Sequence, residues 1–575
     1  MAADTKNNPN NSISLSFCAT IIDEWLKHGV RNAFIAPGSR STPLAVALEL
    51  DTRISTEVFI DERSCGFAGL GNSLRTQVPS VLLCSSGTAG THFYAAVVEA
   101  SLSDIPLIVC TADRPYELHD VSAPQAMNQK NLYGNYVRYF TEPGVPDADQ
   151  SNTWRSIGSR IAIEALGTHR PGPVHVNLNF REPFLVPGQS SKIQITPAHK
   201  DNQPWHNFTQ SYSSVHNGLP QQILNTLRSP KGVIIAGKGV TDPNSVTRLA
   251  QRFGWPLFAG PRSGCKDATA IRNFDQLLRN ESWAEKIQPD FILQIGENLS
   301  SKSLNKWIAS RSTEIIVANN GRWNDPSRMA NHFVSEKGLV FELTSLATFE
   351  KDPSWLKLWT SSDQLAENSI QKTILNFNSH LTGPEIAMQV TGQLETDEAL
   401  VVSSSMPIRE IEWFGDSRTD VSVYSNRGAN GIDGVISTAI GVSTSGKTTL
   451  LIGDIAFLHD NGALLGLAER DLDLTIVVID NDGGQIFTHL PQSKILNSET
   501  FKKLYLTPQK VDLEKLCEAH NIPVSIWSQN ISYREALQNF ATKGPRVVIA
   551  DSGSDIELYD AIEKAVSQNI PDSLS

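Results

Sequence analysis

The chain has 575 residues, 40% hydrophobic and 19% charged, more than one hydrophobic core serves, so roughly two to four globular domains are expected. Acidic residues outnumber basic ones 61 to 49, and no basic stripe or tail stands out, which disfavours a nucleic-acid partner. No run of about eighteen apolar residues occurs, which argues against a membrane span.

The first dozen residues, MAADTKNNPNNS, are polar and lack the apolar stretch of a signal peptide. Residues 13–190 then alternate short apolar runs with amphipathic ones. AFIAP (33–37), EVFI (57–60), SVLLCSS (80–86), PLIVCT (106–111) and PVHVNL (173–178) read as buried parallel strands, and THFYAAVVEASL (91–102) has helical spacing. Residues 186–210, rich in Gln, Ser and Pro, read as a linker. A second unit follows with GVIIAG (232–237), WPLFAG (255–260), DFILQIG (290–296) and TEIIVAN (313–319). Beyond a polar, weakly patterned region at 351–380, a third has LVVSSS (400–405), TTLLIGD (448–454), LTIVVIDN (474–481) and RVVIAD (546–551). The expected fold class is α/β, with three open parallel-sheet domains and helices on both sheet faces; the first and third could share an architecture. Cys18, Cys65, Cys84, Cys110, Cys265 and Cys517 have no C-x-x-C spacing, so buried free thiols and a reducing, cytoplasmic setting are expected.

Residues 441–448, GVSTSGKT, match the phosphate-loop pattern G-x-x-x-x-G-K-S/T. The context is inverted. A true phosphate loop follows a strand and opens a helix, whose amides and dipole meet the phosphates. Here helical spacing precedes and a strand follows, placing Lys447 in a surface turn.

The informative signal comes next. TTLLIG delivers Asp454 at its carboxyl end, and LTIVVID delivers Asn481 before Asp482, Gly483 and Gly484. Open parallel sheets bind ligands at that edge. A carboxylate, an amide oxygen and a backbone carbonyl in a glycine-rich turn suit a hard divalent cation that already carries phosphate oxygens. Read alone, each is also an ordinary turn residue.

This G-D…N spacing resembles the cofactor motif of thiamine-diphosphate-dependent enzymes. The resemblance implies that Asp454, Asn481 and the Gly483 carbonyl hold Mg2+ or Mn2+ against the diphosphate. APGSRSTPL (36–44), DERSCGFAGLG (61–71), SSGTAGTHFYAAVVEA (85–100), TADRPYEL (111–118), YSNRGANGIDG (424–434) and NDGGQIF (481–487) occur in this order. As a set they resemble one family of that class, the 2-succinyl-5-enolpyruvyl-6-hydroxy-3-cyclohexene-1-carboxylate synthases of menaquinone and phylloquinone biosynthesis. The likeness is weaker in the middle of the chain. It implies a pyrimidine-binding domain at 13–190, a central domain at 205–355 and a diphosphate-binding domain at 378–575. The cofactor would lie between the first domain of one subunit and the third of another, making a homodimer the minimum active unit and leaving a tetramer open.

The family reaction decarboxylates 2-oxoglutarate on thiamine diphosphate and adds the succinyl carbanion to isochorismate by 1,4-addition, a transferase (carboligase) activity. By resemblance, Glu62 contacts N1′ of the aminopyrimidine, with Phe59, Ile60 and Phe67 positioned to desolvate it. Ile432 would wedge beneath the cofactor, and Ser86, Gly87 and Thr88 would line it, although Thr88 is equally a plain helix cap. Two polyanionic substrates require converging cations, and arginine pairs bidentately with carboxylate. The family positions are Arg40, Arg409 and Arg427, with Ser39, Arg114, Gln125, Lys302 and Ser405; a surface salt bridge is the alternative for Arg409. Ser303 and Pro124 depart from residues that some family members carry. His92, His459 and His489 lie near motif segments without a required role. A 2-oxo acid decarboxylase or acetohydroxyacid synthase is the nearest rival reading, and a nucleotide-regulated scaffold is the distant one.

Overall fold

The computed structural model describes residues 10–570 except 169, 186–192, 200–201, 209–217, 320, 348, 378 and 541–542, with only the backbone described at 10–12. Its first sheet comprises β1 (Asn32–Ile35), β2 (Ser55–Val58), β3 (Ser80–Cys84), β4 (Leu107–Asp113), β5 (Tyr139–Thr141) and β6 (Pro173–Asn179), in the order β2-β1-β3-β4-β6-β5. The middle sheet comprises β7 (Gly232–Ala236), β8 (Leu257–Ala259), β9 (Phe291–Ile295), β10 (Glu314–Asn319) and β11 (His332–Ser335), in the order β11-β10-β9-β7-β8. The third comprises β12 (Ala399–Val402), β13 (Ser422–Tyr424), β14 (Thr448–Gly453), β15 (Leu474–Asp480), β16 (Val524–Trp527) and β17 (Arg546–Asp551), in the order β13-β12-β14-β15-β17-β16. Every pairing within the three sheets is parallel. Counted from its own first strand, the third sheet repeats the strand order of the first.

Both faces are covered, as continuous apolar strands require. All of β4 and β6 is buried. One core joins the first and third sheets, running from Phe34 and Leu82 to Leu450, Ile452 and Val478. A second joins the middle and third sheets, from Val233 and Phe258 to Leu400 and Val477. The six cysteines are buried and unbonded. Among the described residues, no helix is long and apolar enough to cross a membrane.

The polar region at 351–380 contains a helix, Pro353–Leu375, between the middle and third sheets. Asp352 caps it by accepting from the Ser354 amide, and Pro353 occupies its first turn. Its buried face is Trp355, Trp359, Ser362, Ala366, Ser369, Ile370 and Ile374, where small and polar residues dilute the apolar periodicity. Trp359 meets Phe258 edge-on, with ring centroids 4.8 Å apart. Of the stretch 186–210, residues 186–192, 200–201 and 209–210 lie outside the described residues. The rest is tied to the first unit: the Thr196 amide donates to Thr20 Oγ1 at 3.0 Å and the Trp205 amide to Glu24 Oε2 at 2.9 Å.

The helices Glu62–Thr76 and Val435–Ser443 cross in near backbone contact. A Cβ at Gly71 would stand 2.0 Å from the Thr438 carbonyl oxygen, and one at Gly441 would stand 1.8 Å from that of Ala68. Gly441, the first glycine of GVSTSGKT, is thus a packing residue. Gly441→Ala is expected to destabilise the chain by about 1–3 kcal/mol, read as a lowered thermal midpoint.

The rest of that motif agrees with the inverted context. Lys447 stands between the helix and β14, and its Nζ pairs with Glu395 at 2.7 Å and Glu398 at 3.4 Å. Lys447→Ala is expected to leave catalytic activity at the wild-type level, and calorimetry with ATP is expected to show no binding to either protein.

Candidate active site

In the third sheet, β14 and β15 are neighbours, with Gly453 opposite Ile479. Asp454 opens the helix Asp454–His459 directly at the end of β14, and Asn481 follows β15, so their side chains leave adjacent strand ends. After His459 the chain forms 3-10 turns at Asn461–Leu464 and Leu467–Glu469 before β15. Asp454 is buried; its Oδ1 accepts the Ile455 amide and its Oδ2 the Gly483 amide, each at 2.8 Å. Burial pushes its pKa up to about 6 against those two hydrogen bonds, and the acidic neighbours Asp480 and Asp482 add to the rise. Gly483 has φ +119, and a Cβ there would lie 2.1 Å from the Leu506 carbonyl oxygen, so glycine alone fits.

This arrangement fits a divalent metal. No cluster of three or more His, Cys, Asp or Glu poised around an ion occurs among the described residues. A single carboxylate with amide and carbonyl oxygens is instead a donor set that leaves positions for phosphate oxygens.

A second group gathers at the carboxyl ends of β1, β3 and β4. Ser39 and Arg40 follow β1, and a Cβ on Gly38 would come within 2.3 Å of Ser85 Cβ, so this loop lies against the one after β3. Arg40 donates to the Phe180 carbonyl at 3.0 Å and to Glu182 at 2.9 Å, with its guanidinium over the Phe184 ring. Buried Arg114, after β4, donates to Ser86 Oγ and to the Gln125 carbonyl. Gln125 takes φ 57 and returns its amide to the Ser86 carbonyl at 3.0 Å, while the Gly87 amide donates to Gln129 at 2.8 Å. Burial, then the Arg40 charge, lowers the pKa of Arg114, against the opposing influence of Asp113 and Glu182. Thr88 makes no side-chain cap; its carbonyl accepts from Thr91 instead.

A third group centres on the helix Met406–Trp413. Ser405, just before it, holds φ 79 and ψ −133, a strained conformation for a serine. Arg409 donates to the Ser405 carbonyl rather than forming a surface salt bridge. Burial, then Arg262 and Arg409, lowers Arg427 to about 10. Lys302 opens the helix Lys302–Ala309, and both it and Arg409 act electrostatically on His489.

Three residues passed over in the sequence join this group. Lys266 is buried and donates to the carbonyls of Ile411, Glu412 and Gly415 at 2.9, 3.1 and 2.9 Å, fastening the helix's C-terminal end to the middle unit. Glu412 accepts the Ser300 amide at 3.0 Å on Oε2, its Oε1 has no partner among the described residues, and burial pushes it up to about 7. Arg262 follows β8 at a carboxyl strand end, the same signal that marks Arg114.

Glu62 is the first residue of its helix, which Asp61 caps by accepting the Arg63 amide at 2.8 Å. It lines an open hollow with Ile60, Arg63, His92 and Leu465. Of its expected apolar neighbours, Phe59 and Phe67 are buried, whereas Ile60 lies beyond β2 and is 72% exposed. Ile432 is partly exposed, in a loop fastened to the Glu62 helix at Gly434, where a Cβ would lie 2.0 Å from Phe67 Cγ.

Comparisons with known proteins agree along most of the chain. Residues 17–132 match the N-terminal TPP binding domain of thiamine pyrophosphate enzymes, 192–402 the middle domain of thiamine pyrophosphate and 416–550 the C-terminal TPP binding domain. Three parallel α/β units with these matches define a thiamine-pyrophosphate-dependent enzyme. Three relatives share the name 2-succinyl-5-enolpyruvyl-6-hydroxy-3-cyclohexene-1-carboxylate synthase. That of Saccharopolyspora erythraea is 36% identical over 92% of this chain and 94% of its own. Those of Bacillus velezensis and Listeria innocua are each 35% identical, over 96% and 98% and over 88% and 88% of the two chains. The chain belongs to that family, and it is a thiamine-pyrophosphate-dependent transferase of the carboligase type.

Proposed function

We propose that this enzyme decarboxylates 2-oxoglutarate and joins the remaining four-carbon unit to isochorismate by 1,4-addition. The products are carbon dioxide and 2-succinyl-5-enolpyruvyl-6-hydroxy-3-cyclohexene-1-carboxylate, in menaquinone or phylloquinone biosynthesis. The observation that carries the reading is the gathering of cations in two groups: Arg114 after β4 feels the charge of Arg40 after β1, and Arg427 feels those of Arg262 and Arg409. A simple 2-oxo acid decarboxylase has fewer carboxylates to hold.

Bound thiamine diphosphate would supply the nucleophilic carbon and the electron sink. Asp454, Asn481 and the Gly483 carbonyl would hold its Mg2+ or Mn2+. Glu62 would hold a proton at N1′ of the pyrimidine, with Ser86, Gly87 and Thr88 lining that side and Ile432 supporting the ring. Ser39, Arg40, Arg114, Gln125, Lys302, Ser405, Arg409 and Arg427 would orient the substrate carboxylates. The residues that would hold the metal fall in the domain assigned at 378–575 and Glu62 in that at 13–190, while Lys302 is the substrate position in the central domain at 205–355.

The site is read as shared within a homodimer. Val58, Ile60 and Leu465 flank or line the Glu62 hollow with 54, 72 and 44% exposure, an apolar rim suited to cover by a second copy. Carbon dioxide release from 2-oxoglutarate tests the reading. It is expected to accelerate strongly when isochorismate is added; equal rates with and without it would favour the decarboxylase.

A further inference from the structure

The loop from Ser425 to Gly434 carries Arg427 and Ile432 and belongs to the third unit, yet it is anchored by the first. Glu99 lies on the helix Tyr94–Ser103 and is 3% exposed. Its Oε1 accepts the Gly428 amide at 2.8 Å and the Ser103 hydroxyl at 2.7 Å, and its Oε2 accepts the Ala429 amide at 2.7 Å. Two consecutive amides on the two oxygens of one carboxylate fix both the height and the rotation of the backbone just after Arg427. The loop also sits too close for any side chain at Gly428, where a Cβ would be 2.7 Å from Ser103 Oγ and 2.9 Å from Leu102 Cβ. Lys238 of the middle unit donates to the Ser103 carbonyl at 3.4 Å and feels the Glu99 charge, so all three units meet here.

We propose that Glu99 is a positioning residue: by clamping the Gly428 and Ala429 amides it aims Arg427 from the first unit at the substrate. This rests on the reading of Arg427 as a substrate-binding residue. Glutamine at 99 would retain one acceptor oxygen and turn an NH2 donor against an amide donor, releasing one of the two clamps.

The test measures kcat/KM for both substrates in Glu99→Gln, Arg427→Ala and the double variant of the full-length enzyme. Glu99→Gln alone is expected to lose about 10- to 100-fold, and that loss is expected to vanish in the Arg427→Ala background, because both changes remove one interaction. A full, additive loss in the double variant would mark Glu99 as merely structural and overturn the proposal. So would wild-type kinetics in Glu99→Gln beside a defective Arg427→Ala. Wild-type kinetics in Arg427→Ala would instead overturn the reading of Arg427 beneath it. Gly428→Ala leaves Glu99 in place but lifts the loop, so it covers the case in which Glu99→Gln does not fold. It is expected to show the same loss, and a folded Gly428→Ala with wild-type kinetics overturns the proposal.

Discussion

Asp454→Ala is expected to weaken thiamine-diphosphate binding by at least about 100-fold, measured calorimetrically with Mg2+ present, and to abolish turnover with it. Two losses coincide in this variant. The proposed metal loses its only carboxylate donor, and the Gly483 amide loses the acceptor that holds the glycine turn 2.8 Å away. Because the carboxylate is buried beside Asp480 and Asp482, a bound divalent ion would relieve the cost of its charge. Undiminished affinity in a folded Asp454→Ala protein would place the diphosphate elsewhere.

Glu62→Gln is expected to lower kcat by about 10²- to 10⁴-fold while cofactor affinity stays near that of the parent enzyme. The side chain starts a capped helix whose next turns are buried against Val435–Ser443, so its backbone position does not depend on its own charge. An amide of the same shape keeps the packing and loses only the transferable proton. Full activity in this variant would remove Glu62 from the reaction.

The strands legible from sequence and those missed divide along one physical line. Continuous apolar runs such as SVLLC and LTIVVID form central strands covered on both faces. The missed strands, YFT, HFVS, SVY and VSIW, each lie at a sheet edge, half exposed and short, where one neighbour's hydrogen bonds rather than burial define them. EVFI falls between the two cases: its strand ends at Val58, and Ile60 projects outward. The helix Pro353–Leu375 escaped because Ser362, Ala366 and Ser369 occupy core-facing positions.

Of the candidate residues singled out in the sequence, Arg40, Arg114, Asp454 and Asn481 follow parallel strands at their carboxyl ends, an edge position that Arg262, after β8, shares. Glu99, Lys266 and Glu412 act through contacts with segments far away in sequence, such as Glu99 with Gly428 and Lys266 with Ile411. Nothing within ten residues of any of them signals those partners.

Mass spectrometry of the product tests the account most directly. With thiamine diphosphate, Mg2+, 2-oxoglutarate and isochorismate all supplied, a single joined product with the mass of 2-succinyl-5-enolpyruvyl-6-hydroxy-3-cyclohexene-1-carboxylate is expected, and none when either substrate is withheld. Free succinic semialdehyde as the main product, with isochorismate recovered unchanged, would contradict it.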